Sequence, residues 1–337
     1  MTSADPLQAK LGSKARILLP IFLLSFLAIS AWKMWPSPYG IAHRFHGETM
    51  GTTYNITVVS DALTSEERTR IEQELASELA RIDLVMSTYR DDAQLAQFNA
   101  HAANQAFAVD PSLTDVLAIA HEVSEQSSGA FDVTVSPLVD LWGFGPGGKV
   151  EHQPTPTAIA SAQASMGYTK LNLDIDAHTL MKTHAELKVE LSSIAPGYAA
   201  DQLSELLAKS GYANTMVEVG GEVFTRGHNQ DGATWKIGIE QPLPTRQALH
   251  SLVGISGQGL ATSGDYRNTT TLDGESFSHT IDPRTGRPIA HNLASVTVVA
   301  SNAARADALA TALLVLGPKD GLSWAKKHDL AALFLIR

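Results

Sequence analysis

The chain contains no cysteine. That absence excludes disulfides, thiolate metal sites, cysteine nucleophiles and lipidation at an N-terminal Cys. Basic runs are also missing beyond the first sixteen residues, and the formal net charge is −10. Phosphate-backbone binding needs clustered Lys and Arg, so nucleic acid is excluded as the main partner. Neither GxxxxGK[ST] nor GxGxxG is present, and a nucleotide would have to bind by another route. No internal repeat, low-complexity tract or Pro/Ser-rich linker divides the chain. With 44% hydrophobic content over 337 residues, it can build one large core or two modest ones.

What is present begins at the N-terminus. Lys10, Lys14 and Arg16 precede ILLPIFLLSFLAISAW, Ile17 to Trp32. A positive flank followed by an apolar run describes a secretory signal or an uncleaved membrane anchor. The run is somewhat short of the ~20 residues that span a bilayer, and Ala28 and Ser30 suit a cleavage site before Ala31. Either way, residues 1–40 read as a targeting segment and residues 41–337 as an exported body.

Within the body, TTYNITVV (Thr52 to Val59) has strand composition. Thr64 and Glu67 form a capping box ahead of a helix whose Ile71, Leu75, Leu79 and Ile82 recur at helical spacing. Further helices fit Pro111 to Ser128, Thr155 to Ser165 and Pro196 to Ser210. KLNLDIDAHTLMKTHAELKVEL reads as paired strands. Single strands fit Thr215 to Phe224, Trp235 to Ile239, Ser251 to Ile255 and Ser295 to Ala300. An Ala/Leu-rich helix then runs from Ala304 to a stop at Gly317, and a last strand lies near Leu330 to Ile336. Strands that follow one another through short turns predict an antiparallel α+β fold.

Several stretches carry possible chemistry. In ADALATALLVLG, Asp307 and Thr311 lie four apart, stacked on one helix face. Ala303, Ala310 and Leu314 share that stripe, so the acid is flanked by apolar neighbours and needs a charge partner or a metal. Carboxylate plus hydroxyl would give a hard cation such as Mg²⁺ two oxygen ligands. In HTIDPRTGRPI the turn gathers His279, Asp282, Arg284 and Arg287, suited to acid–base work on a phosphate ester. ELSSIAPGYAAD leads a strand into a helix N-terminus, where free N–H groups favour anions including pyrophosphate. The paired glycines of VEVGGEVFTRG allow close backbone approach. Met50, Tyr89, Phe131 and Trp142 are of the kind that sandwich an aromatic ring.

In order, MGTTY, MSTYRDDAQLAQFN, AFDVTVSPLVDLWGFG, ELSSIAPGYAAD, VEVGGEVFTRG, TSGDYRN, SHTIDPRTGRPIAHNLASVTVVA and ADALATALLVLG span residues 50 to 317. The chain resembles the ApbE-type FAD:protein FMN transferases on these blocks. The resemblance implies an α+β fold of antiparallel sheets with flanking helices, T-fold-like, with FAD in a cleft between lobes. It implies transfer of FMN from FAD to a Thr or Ser hydroxyl of an exported acceptor flavoprotein. A phosphoester forms and AMP is released in a Mg²⁺-dependent reaction on the periplasmic side of the inner membrane. Matched position by position, it implies Asp307 and Thr311 as side-chain Mg²⁺ ligands and Ser193 as a backbone ligand. Met50, Tyr89, Ala130, Phe131, Asp132, Glu190 and the backbone of Ile281 correspond to FAD contacts, and His279 to the group that activates the acceptor hydroxyl. Two positions depart from the common family pattern. Glu190 stands where Asp is usual, and Pro196 stands where a Lys would lie near the phosphates. The same residues admit two other readings, hydrolysis of FAD to FMN and AMP, and a non-catalytic exported FAD-binding protein.

Overall fold

The computed structural model describes residues 18, 20–26, 39–145, 148, 150–243, 248–265 and 269–337. Most of the expected targeting segment, including Lys10, Lys14 and Arg16, lies outside the described residues, as do Tyr266, Arg267 and Asn268 of the TSGDYRN block. No helix among the described residues is long and apolar enough to cross a membrane.

The body opens on a hairpin, β1 (Ile41–Thr49) and β2 (Thr52–Ser60), paired from Ile41↔Ser60 to Thr49↔Thr52. Its two-residue turn puts Met50 at φ 49 and Gly51 at φ 72, the positive pair that matches the twist of the strands. Helix α1 (Ser65–Met86) follows, and its capping box is formed: the Thr64 N–H donates to Glu67 Oε2 at 2.8 Å and the Glu67 N–H to Thr64 Oγ1 at 3.2 Å. Its buried residues are Ile71, Leu75, Leu79, Ile82, Val85 and Met86, one apolar stripe. Next come α2 (Gln94–Ala100), β3 (Phe107–Ala108), α3 (Pro111–Gln126), α4 (Ser136–Leu141) and α5 (Pro156–Ser165). The expected strand pair appears as β4 (Leu171–Asp174) and β5 (Thr179–Lys182). Helix α6 spans Ala195–Lys209.

The run Thr215 to Phe224, expected as one strand, is two. Strands β6 (Thr215–Val219) and β7 (Glu222–Arg226) fold back on each other because Gly220 and Gly221 take φ 68 and 110. Then follow β8 (Trp235–Glu240), β9 (Leu249–Ile255), β10 (Gly259–Gly264), β11 (Thr269–Leu272), β12 (Glu275–Ser278), β13 (Ile281–Asp282), β14 (Arg287–Pro288) and β15 (Leu293–Ala300). Helix α7 (Ala303–Lys327) and β16 (Ala331–Ile336) end the body. Gly317, expected as the end of the helix, is instead a break inside it, at φ 79 and ψ −178. Pro318 comes next, and because a first-turn position asks for no N–H, the chain re-enters helix at once.

A seven-stranded antiparallel sheet, in the order β1-β2-β6-β7-β10-β15-β16, forms the centre of the fold. Helices α6 and α7 pack on each other and on this sheet, with α1 behind α6. The β8–β9 ribbon packs Trp235, Ile237 and Ile255 against Val59, Val223 and Leu260. A smaller core of Leu138, Trp142, Ile159, Met166, Leu272 and Ile281 holds together the segments that flank His279. The observed class is the expected one, α+β with antiparallel sheets and flanking helices.

Candidate active site

Asp307 sits in the second turn of α7 and is only 6% exposed, among fully buried Ala303, Ala306, Ala308 and Ala310. The Gly197 N–H, from the first turn of α6, faces its carboxylate and favours the ionised form. Oxygen Oδ2 is buried with no hydrogen-bond partner among the described residues. Burial and the charges of Glu190 and Asp201 push the Asp307 carboxyl up to about 8 despite the facing Gly197 amide. Glu222, buried on β7, lies close enough that burial and the Asp307 charge together hold it well above the ordinary carboxylate range. Glu190 is raised too, first by burial and then by Asp140, against the pull of the Ser192 N–H that donates to Oε1 at 2.6 Å. Ser193 lies in the turn between Glu190 and Gly197. One corner therefore gathers acids that disfavour one another's ionised form.

The corner is held tightly. Asp201 on α6 accepts from the Ala303 and Ala304 N–H groups at 2.8 and 2.9 Å, capping the start of α7. The helices approach so closely that a Cβ on Gly197 would come within 2.5 Å of the Ala303 carbonyl oxygen. One turn further along the Asp307 stripe, the Thr311 hydroxyl shares a 2.9 Å hydrogen bond with Ser263 Oγ of β10. No three His, Cys, Asp or Glu side chains converge as a complete metal cage among the described residues. The donors that are present fit a hard cation taking part of its shell from phosphate and water: a bare carboxylate oxygen, a hydroxyl one turn on, and the carbonyl-bearing turn at Ser193.

The ApbE family model matches residues 50–334. The chain belongs to the ApbE family. It is 41% identical over 295 residues to the FAD:protein FMN transferase of Haemophilus influenzae, covering 86% of this chain and 85% of that relative. To the FAD:protein FMN transferase of Salmonella typhimurium it is 38% identical, covering 88% and 85%. The solved flavin transferase ApbE from Vibrio cholerae superposes with a TM-score of 0.79 at 38% identity, covering 88% of this chain and 94% of that one.

The remaining residues expected from the ApbE resemblance lie in several places. Met50 occupies the β1–β2 turn, partly buried against the main core. Tyr89 is 74% exposed in the loop after α1, its N–H donated to Ser87 Oγ. Ala130, Phe131 and Asp132 are all buried. Asp132 spends its carboxylate inside the protein: Oδ1 accepts from the Thr134 N–H and hydroxyl at 2.8 and 2.6 Å, and Oδ2 from the Tyr168 N–H at 2.9 Å. Burial nevertheless raises its pKa above the ordinary value. Ile281 is buried in β13, and the His279 and Phe144 rings meet in a T-shaped contact, centroids 6.3 Å apart. Asp282 and Arg284 do not stand ready for His279, because they pair with each other at 2.8 Å within the turn. The Trp142 Nε1–H donates to the Gly286 carbonyl at 2.9 Å and fixes that turn to the lobe. Beside it opens a cavity of about 680 Å³, lined by Trp142, Phe277, Ser278, Arg287 and His291 among others.

Sequence reasoning missed Glu222, Asp201 and the Gly197 amide as parts of the Asp307 corner. Glu222 left one faint trace, an acid directly after paired glycines. The other two depend on a contact between helices 102 residues apart, which no local pattern announces.

Proposed function

We propose that this chain is an FAD:protein FMN transferase. It moves FMN from FAD to a Thr or Ser hydroxyl of an exported acceptor flavoprotein, leaving a phosphoester and releasing AMP. The observation that carries the reading is the buried Asp307 carboxylate beside the N-terminal turn of α6, its Oδ2 without a partner among the described residues. An orphaned buried carboxylate oxygen is costly alone and fits beside a cation. The names of the family relatives supply the substrate class.

In this reading Asp307, the Thr311 hydroxyl and the Ser193 carbonyl would hold Mg²⁺. Such an ion would supply positive charge to offset that of the pyrophosphate and of the leaving AMP. The start of α6 offers that anion little, because the Ala195 and Tyr198 N–H groups donate to the Leu191 and Ile194 carbonyls at 2.7 and 3.0 Å, Pro196 has none and the Gly197 N–H faces Asp307. Met50 and the exposed Tyr89 ring take the flavin. Ala130, Phe131, Asp132, Glu190 and the Ile281 backbone shape the rest of the FAD site. His279 accepts the proton of the acceptor hydroxyl as its oxygen bonds to the FMN phosphorus and the P–O bond to AMP breaks. The proposal includes export to the periplasmic side of the inner membrane; the Lys10, Lys14, Arg16 flank and the apolar run to Trp32 support it.

The test incubates the full chain with FAD, Mg²⁺ and a Thr-bearing acceptor. Fluorescent flavin should stay on the acceptor through denaturing electrophoresis and vanish with EDTA. AMP release with no acceptor labelling, across several acceptors, would replace transfer by hydrolysis.

A further inference from the structure

Helix α7 carries Asp307 and Thr311, and it breaks six residues after Thr311 at Gly317. Pro318 has no N–H, so the Leu314 carbonyl has lost the partner that an unbroken helix would give it at the fourth residue on. The missing donor arrives from elsewhere. His291, in the segment between β14 and β15, places Nε2 2.9 Å from the Leu314 oxygen. A carbonyl only accepts, so Nε2 carries the proton. The fit around the ring is close: a Cβ on Gly317 would come within 2.7 Å of His291 Cδ2. Nδ1 of the same ring is buried with no partner among the described residues, so the hydrogen bond to Leu314 is the polar contact that fixes this imidazole.

The helix is thus tied to the sheet at two successive levels. Ser263 on β10 holds the Thr311 hydroxyl at 2.9 Å. His291, just ahead of β15, which pairs with β10, holds the Leu314 carbonyl one turn on. A helix end cut by Pro and Gly would otherwise be free to fray or rotate, and the carboxylate and hydroxyl would move with it. We infer that His291 is a positioning residue for the Asp307–Thr311 pair: its Nε2–H replaces the amide that Pro318 lacks and sets the rotation of α7 at which both groups face one cation. The inference rests on the reading of that pair as cation ligands.

The test compares the full wild-type chain with His291→Leu, which keeps bulk but no donor, and His291→Gln, whose amide nitrogen can stand near the imidazole Nε2. Mn²⁺ serves as the probe ion, its uptake followed by electron paramagnetic resonance without FAD, alongside hydrogen exchange of the amides of residues 311–316. The Leu variant should bind Mn²⁺ about tenfold more weakly, the scale of losing a support behind metal ligands, with faster exchange across those amides. The Gln variant should return to within about twofold of wild type on both readouts. Faster exchange or a lower Tm in the Leu variant with unchanged Mn²⁺ affinity would overturn the inference, leaving His291 a purely structural residue. Equal losses in the Leu and Gln variants would overturn it as well, because the hydrogen bond would not be the cause. Absence of Mn²⁺ uptake by the wild type would sink the cation-ligand reading and this inference with it; normal uptake in wild type and Leu variant alike would sink the inference alone.

Discussion

Asp132 and Asp307 are almost equally deep, 7% and 6% exposed, and the protein surrounds them in opposite ways. Asp132 is saturated: three donors from Thr134 and Tyr168 reach its two oxygens. Asp307 faces one backbone amide, keeps one bare oxygen and has other acids nearby. The first is a fold-making carboxylate that ties the loop after α3 to the segment following α5. The second is a carboxylate with one oxygen unmet, the position that a cation would fill in the proposed reading. Depth of burial alone does not separate structure from chemistry in this molecule, and the hydrogen-bond inventory does.

The sharpest way to break that contrast is Asp307→Asn, which keeps shape and removes charge. Flavin transfer should fall by more than about 100-fold, the scale of losing a charge-stabilising group at the reacting centre. The Tm without metal should hold or rise, because an unpaired buried acid has been removed. A fall in Tm comparable to that of a core mutation would show that Asp307 is structural after all. Asp132→Ala should do the reverse. Losing the acceptor for three buried donors costs about 2–4 kcal/mol, read by urea unfolding. Transfer measured well below the melting range should change far less than in the Asp307 variant.

Asp201 falls between the two and gives the smallest effect. It caps α7, yet burial pushes it up to about 6 in spite of its two amide partners. A folded pKa above the unfolded value means that its contribution is full below the ordinary carboxylate pKa of about 4 and is lost as pH rises through about 6. Asp201→Asn keeps one acceptor oxygen and loses the other, so it should cost about 1 kcal/mol and should flatten the fall in stability between pH 4 and pH 7. An unchanged slope in that window would remove Asp201 from the set of acids that strain this corner.

Much of this was readable from the chain itself. Thr64 and Glu67 announced α1, and the apolar stripe around Asp307 announced its burial, because caps and periodicity are local properties. The break at Gly317 was misread as an end, since Gly is equally at home terminating a helix and interrupting one, and only tertiary packing shows that the helix resumes after Pro318. Gly220 and Gly221 turned one expected strand into a hairpin for a similar reason: paired glycines permit either continuation or reversal. Asp282 and Arg284 read as help for His279, yet two residues apart in a tight turn they satisfy each other first. The environment of Asp307 was hidden most deeply, because Gly197, Asp201 and Glu222 reach it only once the sheet has brought α6, β7 and α7 together.

That sheet also sets a timetable. Val58 of β2 pairs with Thr215 of β6, so roughly 155 residues separate the two halves of a central pairing, a long loop to close. A ribosome adding 5–20 residues per second needs on the order of 8–30 s to deliver the partner. Throughout that interval the β1–β2 hairpin offers an unpaired edge to any neighbouring chain. The stage most exposed to misassembly therefore comes early in synthesis, long before the residues that make the protein useful have been translated.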